Sequence, residues 1–203
     1  MNIKCRLNND KFAAKKLRET MLQQNSYNKK DLEKSSNGTL LGNDTGKLPL
    51  PPMLMVTRIN EVYNDGGKYN KGIIRAELDL NEDNWFFLCH FKNDPVMPGC
   101  LGLDGMWQLV GFYLTWLGGK GRGRALGVGD VKFKGQIRPY HKKIYYNIDI
   151  KRVINKNNKH IIWADGTVST DKKKTIYFAK NLQVGLFENL TYDFGGDPSQ
   201  DTF

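Results

Sequence analysis

Residues 89 to 119 read CHFKNDPVMPGCLGLDGMWQLVGFYLTWLGG. Pro98 and Gly99 open a helix-sized apolar run, and Gly118 and Gly119 close it, a start and a stop of the kind helices use. The run is apolar on nearly every face, so the helix it forms must be enclosed. One acid, Asp104, nevertheless stands inside it, fourteen positions after His90. A carboxylate buried in such surroundings is costly unless it is paired, hydrogen-bonded or protonated, so Asp104 needs an explanation beyond packing.

On both sides of this helix the grammar is that of strands. "MLMVTRINEV" from Met53, "GIIRAELDL" and "NWFFLCHF" precede it, separated by the Asn/Asp/Gly groups "YNDGGKYN" and "NED". "RALGVGDVKFKG", "KKIYYNIDIKRVI", "HIIWADGTVST" and "KTIYFAKNLQVGLF" follow it, with "TDKKK" suited to a hairpin turn. The alternation of Ile144, Tyr146, Ile148 and Ile150 marks a sheet with one buried face. These elements predict an α+β fold, a strongly curved antiparallel sheet wrapped around one long central helix. Upstream, "DKFAAKKLRETMLQQ" predicts an appended helix over residues 10 to 24. "SYNKKDLEKSS" predicts a second short helix with Ser26 or Asn28 near its cap, and "NGTLLGNDTGKLPLPP" a loop approaching the core.

The chain has 203 residues, 39% of them apolar, enough for one core and an appendage. Its net charge is +10, with nine Lys/Arg against four Asp/Glu in residues 1 to 34, a balance that attracts polyanions without saying which. No apolar run has the length of a membrane span, and the best candidate, Met106 to Leu117, contains Gln108 and Thr115. The N-terminus lacks the continuous apolar stretch of a secretory signal, and Asp10 and Glu19 argue against a transit peptide. Three cysteines, Cys5, Cys89 and Cys100, form no even framework, so reduced thiols in a cytoplasmic setting are expected, with Cys89 and Cys100 as small core residues. His90, His141 and His160 show no metal-ligand spacing.

Gln108 lies one helical turn beyond Asp104, placed to hold its carboxyl in a fixed orientation. His90, read as ending a strand just before the loop that feeds the helix, supplies a base. The helix N-terminus supplies unpaired N–H groups, which Gly99 and Gly102 let a substrate oxygen approach. A base, an acid in apolar surroundings and an oxyanion cradle suit proton abstraction beside a carbonyl with departure of a hydroxyl. The same residues also fit a plainer account, a satisfied structural histidine and an acid complementing the helix dipole.

The whole stretch "WFFLCHFKNDPVMPGCLGLDGMWQLVGFYLTWLGG" resembles the signature of the bacterial 3-hydroxydecanoyl-acyl-carrier-protein dehydratase/isomerase family. The resemblance continues through "GRALGVGDVKFKGQIRP", "KRVIN", "ADG" and "VGLF", and upstream to "PPMLMVTRI" and "YNKKDL", covering residues 27 to 187. It implies a hot-dog fold over 27–187, with a basic N-terminal extension over 1–26 and a C-terminal tail over 188–203. It also implies a cytoplasmic homodimer with two shared active sites and no cofactor. His90 is then the base acting at substrate C2, and Asp104, from the partner subunit, the acid that assists departure of the C3 hydroxyl. Gln108 orients that acid, and the Gly99 N–H donates to the thioester carbonyl.

The implied reaction is dehydration of a (3R)-3-hydroxyacyl thioester of about ten carbons, followed by trans-2 to cis-3 isomerisation. The implied partner is an acidic acyl carrier protein docking on Arg152 and Lys156; neither a membrane nor nucleic acid is expected. Phe91, Val96, Met97 and Trp107 are candidates for the acyl tunnel wall. Dehydratase-only relatives carry Glu where this sequence has Asp104, which favours the bifunctional type. Gly105 departs from the usual Ala, at up to about 1 kcal/mol of helix propensity, and Asn93 replaces a loop Gly near His90. The readings that compete are a dehydratase-only or thioesterase relative and a non-catalytic polyanion-binding module.

Overall fold

A seven-stranded antiparallel sheet dominates the structure, a computed structural model that describes residues 24–156, 159–172 and 174–188. The strands are β1 (Arg58–Tyr63), β2 (Ile73–Asp79), β3 (Arg122–Gly127), β4 (Asp130–Phe133), β5 (Lys143–Lys156), β6 (Lys159–Thr170) and β7 (Thr175–Phe187). Their order is β1-β2-β5-β6-β7-β3, with β4 also pairing with β7. Three helices complete the described residues: α1 (Lys29–Ser36), α2 (Trp85–Cys89) and α3 (Gly99–Trp116).

The expected alternation sets the buried face. Ile144, Tyr146, Ile148 and Ile150 of β5 are all buried, and so are Ile74 and Ala76 of β2 and Ile162, Ala164 and Val168 of β6. Helix α3 packs on this face, against β7, β6 and β5. The sheet bends around it at neighbouring irregularities, where the register of β5 shifts between Ile150 and Arg152 and that of β6 between Ala164 and Gly166. Such bulges increase twist and bend a strand. Here they are fastened together by Asp165, which accepts from the Asn181 N–H (3.0 Å) and the Tyr69 hydroxyl (2.6 Å) and pairs with Lys151 (3.3 Å). The arrangement is the hot-dog fold, a curved sheet wrapped on one long helix.

Helix boundaries follow the sequence signals. Asn28 caps α1 in a reciprocal box with Asp31. Helix α3 ends in a Schellman turn, in which the Gly118 N–H donates to Thr115 O and the Gly119 N–H to Leu114 O, with Gly118 in the left-handed region at φ 91°.

Three sequence expectations are corrected. "NWFFLCHF" is not a strand but the five-residue helix α2, because Asn81 and Asn84 fold the preceding chain into a turn and the consecutive Phe86 and Phe87 are both buried, a pattern no one-faced strand can produce. His90 therefore caps a helix and does not end a strand. The strand expected from Met53 begins only at Arg58, since Pro49, Pro51 and Pro52 have no N–H to give a sheet. "RALGVGDVKFKG" forms two strands, both along β7 and separated across β7's own irregularity at Lys180 to Leu182. The helix expected over residues 10 to 24 and the 188–203 tail fall almost wholly outside the described residues.

Candidate active site

Although α3 is buried on most sides, beyond Gly99 its open and partly open positions form one stripe: Cys100, Leu103, Asp104, Trp107 and Gly111. Their spacing of three and four residues places them along a single face. Asp104 thus lies on the helix's one open edge, in its second turn, too far along to be a dipole-complementing first-turn acid. It faces a cleft of about 150 Å³ shared with Trp107, Gln108, Pro49, Arg124 and Leu186.

Gln108 holds the acid as the spacing predicted, and its own orientation is fixed from elsewhere. Its Oε1 accepts the Met55 N–H (2.9 Å), and its Nε2 donates both to Met53 O (2.8 Å) and to Asp104 Oδ2 (2.6 Å). Because one backbone donor and one backbone acceptor grip the two ends of the amide, it cannot flip without losing both bonds. Asp104 Oδ2 is therefore an acceptor, and the carboxylic proton belongs on Oδ1. Desolvation raises the Asp104 pKa above the ordinary carboxyl value, against a smaller lowering by the Gln108 bond. The site shifts the carboxyl toward its protonated form.

His90 does not line that cleft. Its Nδ1 lies 2.9 Å from Val96 O, which can only accept. Nδ1 therefore carries a proton, which leaves Nε2 as the nitrogen available to act as a base. Val96 N–H donates back to His90 O (2.7 Å), closing the loop on itself. Within the loop, the Phe91 N–H and O pair with the Asp94 O and N–H (3.0 Å each), and Asp94 is held by Arg138. Asn93 occupies the left-handed region at φ 65°, so it keeps the conformation a glycine would take.

The remaining predicted residues divide between the two places. Trp107 lines the Asp104 cleft and donates its indole N–H to Gly127 O (3.2 Å). Phe91 is exposed beside the His90 ring, Val96 is half-buried, and Met97 is fully buried in the core with its N–H on Ile137 O (2.9 Å). None of these three lines the cleft. Gly99 is the first residue of α3, Pro98 before it offers no side-chain cap, and a Cβ on Gly99 would meet the Phe133 ring at 3.0 Å. Arg152 is exposed on β5 over the Trp163 ring, 5.3 Å from its centroid, and the Lys156 side chain lies outside the described residues. Cys89 and Cys100 are exposed, not core residues as expected.

Two contributors carry no mark that a reading of side chains would find. Met53 and Met55 act through backbone groups alone. Tyr146, legible only as a core position, explains Gly105: a Cβ there would lie 2.5 Å from the Tyr146 hydroxyl and 2.7 Å from its ring. That hydroxyl is buried without a hydrogen-bond partner, and burial pushes its pKa up, with the Tyr177 and Asp104 charges adding to the effect.

Among the described residues no cluster of His, Cys, Asp or Glu is arranged to hold a metal, and no helix is long and apolar enough to cross a membrane. A family model described as FabA-like domain matches residues 48–180. Among solved structures the chain is similar to the dehydratase heterocomplex ApeI:P from Xenorhabdus doucetiae, at 14% identity and a TM-score of 0.49 over 68% of this chain and 85% of that one. It is also similar to a hypothetical thioesterase with coenzyme A from Streptococcus pneumoniae TIGR4, at 8% identity and a TM-score of 0.46 over 63% and 83%. A third is the putative thioesterase yhdA from Lactococcus lactis, at 12% identity and 0.47 over 66% and 95%. At such identities the likeness concerns the fold alone.

Proposed function

The chain belongs to the FabA-like domain family, and from that premise we propose that it dehydrates (3R)-3-hydroxyacyl thioesters presented by an acyl carrier protein. Residues 27 to 187 form the catalytic unit, acting in the cytoplasm as a homodimer whose two active sites each take His90 from one subunit and Asp104 from the other. The observation that carries the reading is an acid whose carboxyl is desolvated in a cleft, with its pKa raised, and gripped by Gln108. A general acid must hold its proton until the leaving group needs it, and desolvation moves a carboxyl in that direction.

In the first step His90 Nε2 takes the proton from substrate C2. The electron pair left behind forms the C2–C3 double bond, and the C3 hydroxyl departs as water with the proton from Asp104 Oδ1. Negative charge that develops on the thioester carbonyl oxygen is met by the Gly99 N–H at the uncapped start of α3. The product is the trans-2-enoyl thioester. In the second step a proton is removed from C4 and one is returned to C2, giving the cis-3 isomer. That His90 does not line the Asp104 cleft of its own chain accords with a site shared between subunits, as does the open stripe of α3, which a second copy would cover. The carrier's acidic surface meets Arg152 and Lys156.

Incubation with a ten-carbon 3-hydroxyacyl thioester and separation of the products tests this. Trans-2 and cis-3 enoyl species are expected. Trans-2 alone would remove the isomerisation, free acid would replace the reading with a thioesterase, and an unchanged thioester would overturn it.

A further inference from the structure

The segment from Leu48 to Val56, "LPLPPMLMV", forms one wall of the Asp104 cleft through Leu48 and Pro49 and carries both backbone partners of Gln108. It belongs to no strand, and Pro49, Pro51 and Pro52 have no N–H to donate. Leu48, Met55 and Val56 are buried at its ends, whereas Leu50 and Met53 are exposed between them. From Leu50 to Met53 the strap is therefore held by no sheet ladder and little core packing, which resumes at Leu54.

Besides its own turn bond from the Met53 N–H to Leu50 O (3.0 Å), it is held by side-chain donors, one from each helix. Ser36 at the end of α1 shares its hydroxyl proton between Pro49 O (2.9 Å) and Leu32 O of its own helix (3.1 Å). Trp85 at the start of α2 donates its indole N–H to Pro52 O (3.3 Å). Gln108 of α3 holds Met53 O and the Met55 N–H. Pro52 and Met53 are adjacent, so the Trp85 bond fixes the peptide unit next to the carbonyl that orients Gln108. Trp85 is also the first residue of the five-residue helix that His90 caps.

We propose that Trp85 is a positioning residue of the dehydration reaction, acting on Asp104 through the strap and Gln108. The inference rests on the reading of Asp104 as the acid. With the Pro52 tie cut, the strap is free to move away from α3, Gln108 loses its fixed orientation and water reaches the carboxyl. Desolvation is the larger influence on Asp104, so water entry lowers its pKa and the carboxyl loses its proton at lower pH. Lys47 and Arg124 are the charged side chains that share the cleft, and Tyr146 lies behind it on β5. The Trp85 tie involves none of them.

The test is Trp85→Phe in the full chain, which keeps a ring at the position and removes the donor. With a 3-hydroxyacyl thioester, kcat should fall about ten-fold at unchanged KM, since the loss is one of orientation. The alkaline limb of the pH profile should move to lower pH by about half a unit. Hydrogen exchange at the Met55 amide, which needs no substrate, should accelerate about ten-fold. Ser36→Ala cuts the strap's other tie and should move the same three readouts in the same direction, which keeps the test available if Trp85→Phe folds poorly. A folded Trp85→Phe with parental kcat, alkaline limb and Met55 exchange would overturn the proposal. Failure of the functional reading is separate, because the parent protein itself would then leave the thioester unchanged while Met55 exchange still reported on the strap.

Discussion

Replacing Gln108 with Leu removes the side chain on which the acid's geometry depends while keeping the cleft filled. Three groups lose their partner: the Met55 N–H, Met53 O and Asp104 Oδ2. Met53 is 43% exposed, so its carbonyl recovers a water, but Met55 is 2% exposed and its N–H is left buried and unpaired. An orphaned buried donor costs about 1–3 kcal/mol, and loss of the carboxyl's bond adds about 1 kcal/mol. A total near 2–4 kcal/mol lowers Tm by about 4–16 °C for a domain of this size. Catalysis should suffer more, by about 10²-fold in kcat, because the acid is no longer aimed. The Gln108 bond lowers the Asp104 pKa, so its removal behind a water-excluding leucine raises that pKa further, and the alkaline limb of the rate profile moves upward. Trp85→Phe moves it the other way. Urea unfolding and a pH–rate profile of Gln108→Leu read all of these. Parental stability with an unmoved alkaline limb would refute the reasoning.

Asp104→Asn should lose about 10²-fold or more in turnover yet not be less stable than the parent. A carboxyl with a raised folded pKa contributes stability that is fully present below its unfolded pKa and lost as pH rises through the folded value. The stability difference in favour of Asn should therefore widen with rising pH, as unfolding curves at several pH values will show. Gly105→Ala gains about 1 kcal/mol of helix propensity but drives a methyl into the Tyr146 side chain, at about 1–3 kcal/mol. A net loss of about 1 kcal/mol and a Tm about 2–4 °C lower are expected by calorimetry; a raised Tm would contradict the packing. Tyr146→Phe removes a hydroxyl buried without a partner, so thermal unfolding should show a gain of about 1 kcal/mol. Arg152→Glu should slow turnover of carrier-bound substrate at low salt and leave a small soluble thioester unaffected, a difference that added salt erases.

The central helix and the strands β5 to β7 were legible because long apolar periodicities, and the Gly118–Gly119 stop, admit few structures. The Asp104–Gln108 pair was legible for the same reason, since a helical spacing of four fixes a neighbour. Helix α2 was not, because a five-residue apolar run has no periodicity to separate helix from strand. The grip of the strap on Gln108 was also illegible, since backbone groups more than fifty positions away leave no trace in side-chain pattern. Gly105 registered only as a departure from a resemblance, and the tyrosine that requires it lies on another element. Cys89 and Cys100 were misread as core because cysteine's usual preference for burial says nothing of the exposed positions they occupy, at the end of α2 and the start of α3.

The claim on which the account turns is that base and acid of each active site come from different chains. His90→Ala and Asp104→Asn variants, each inactive alone, can be mixed under conditions that exchange subunits, with heterodimers confirmed by native mass spectrometry. Each heterodimer then holds one site with both groups intact. Random pairing therefore predicts recovery of about a quarter of the parental thioester dehydration rate. Heterodimers that form and remain inactive would contradict the shared site.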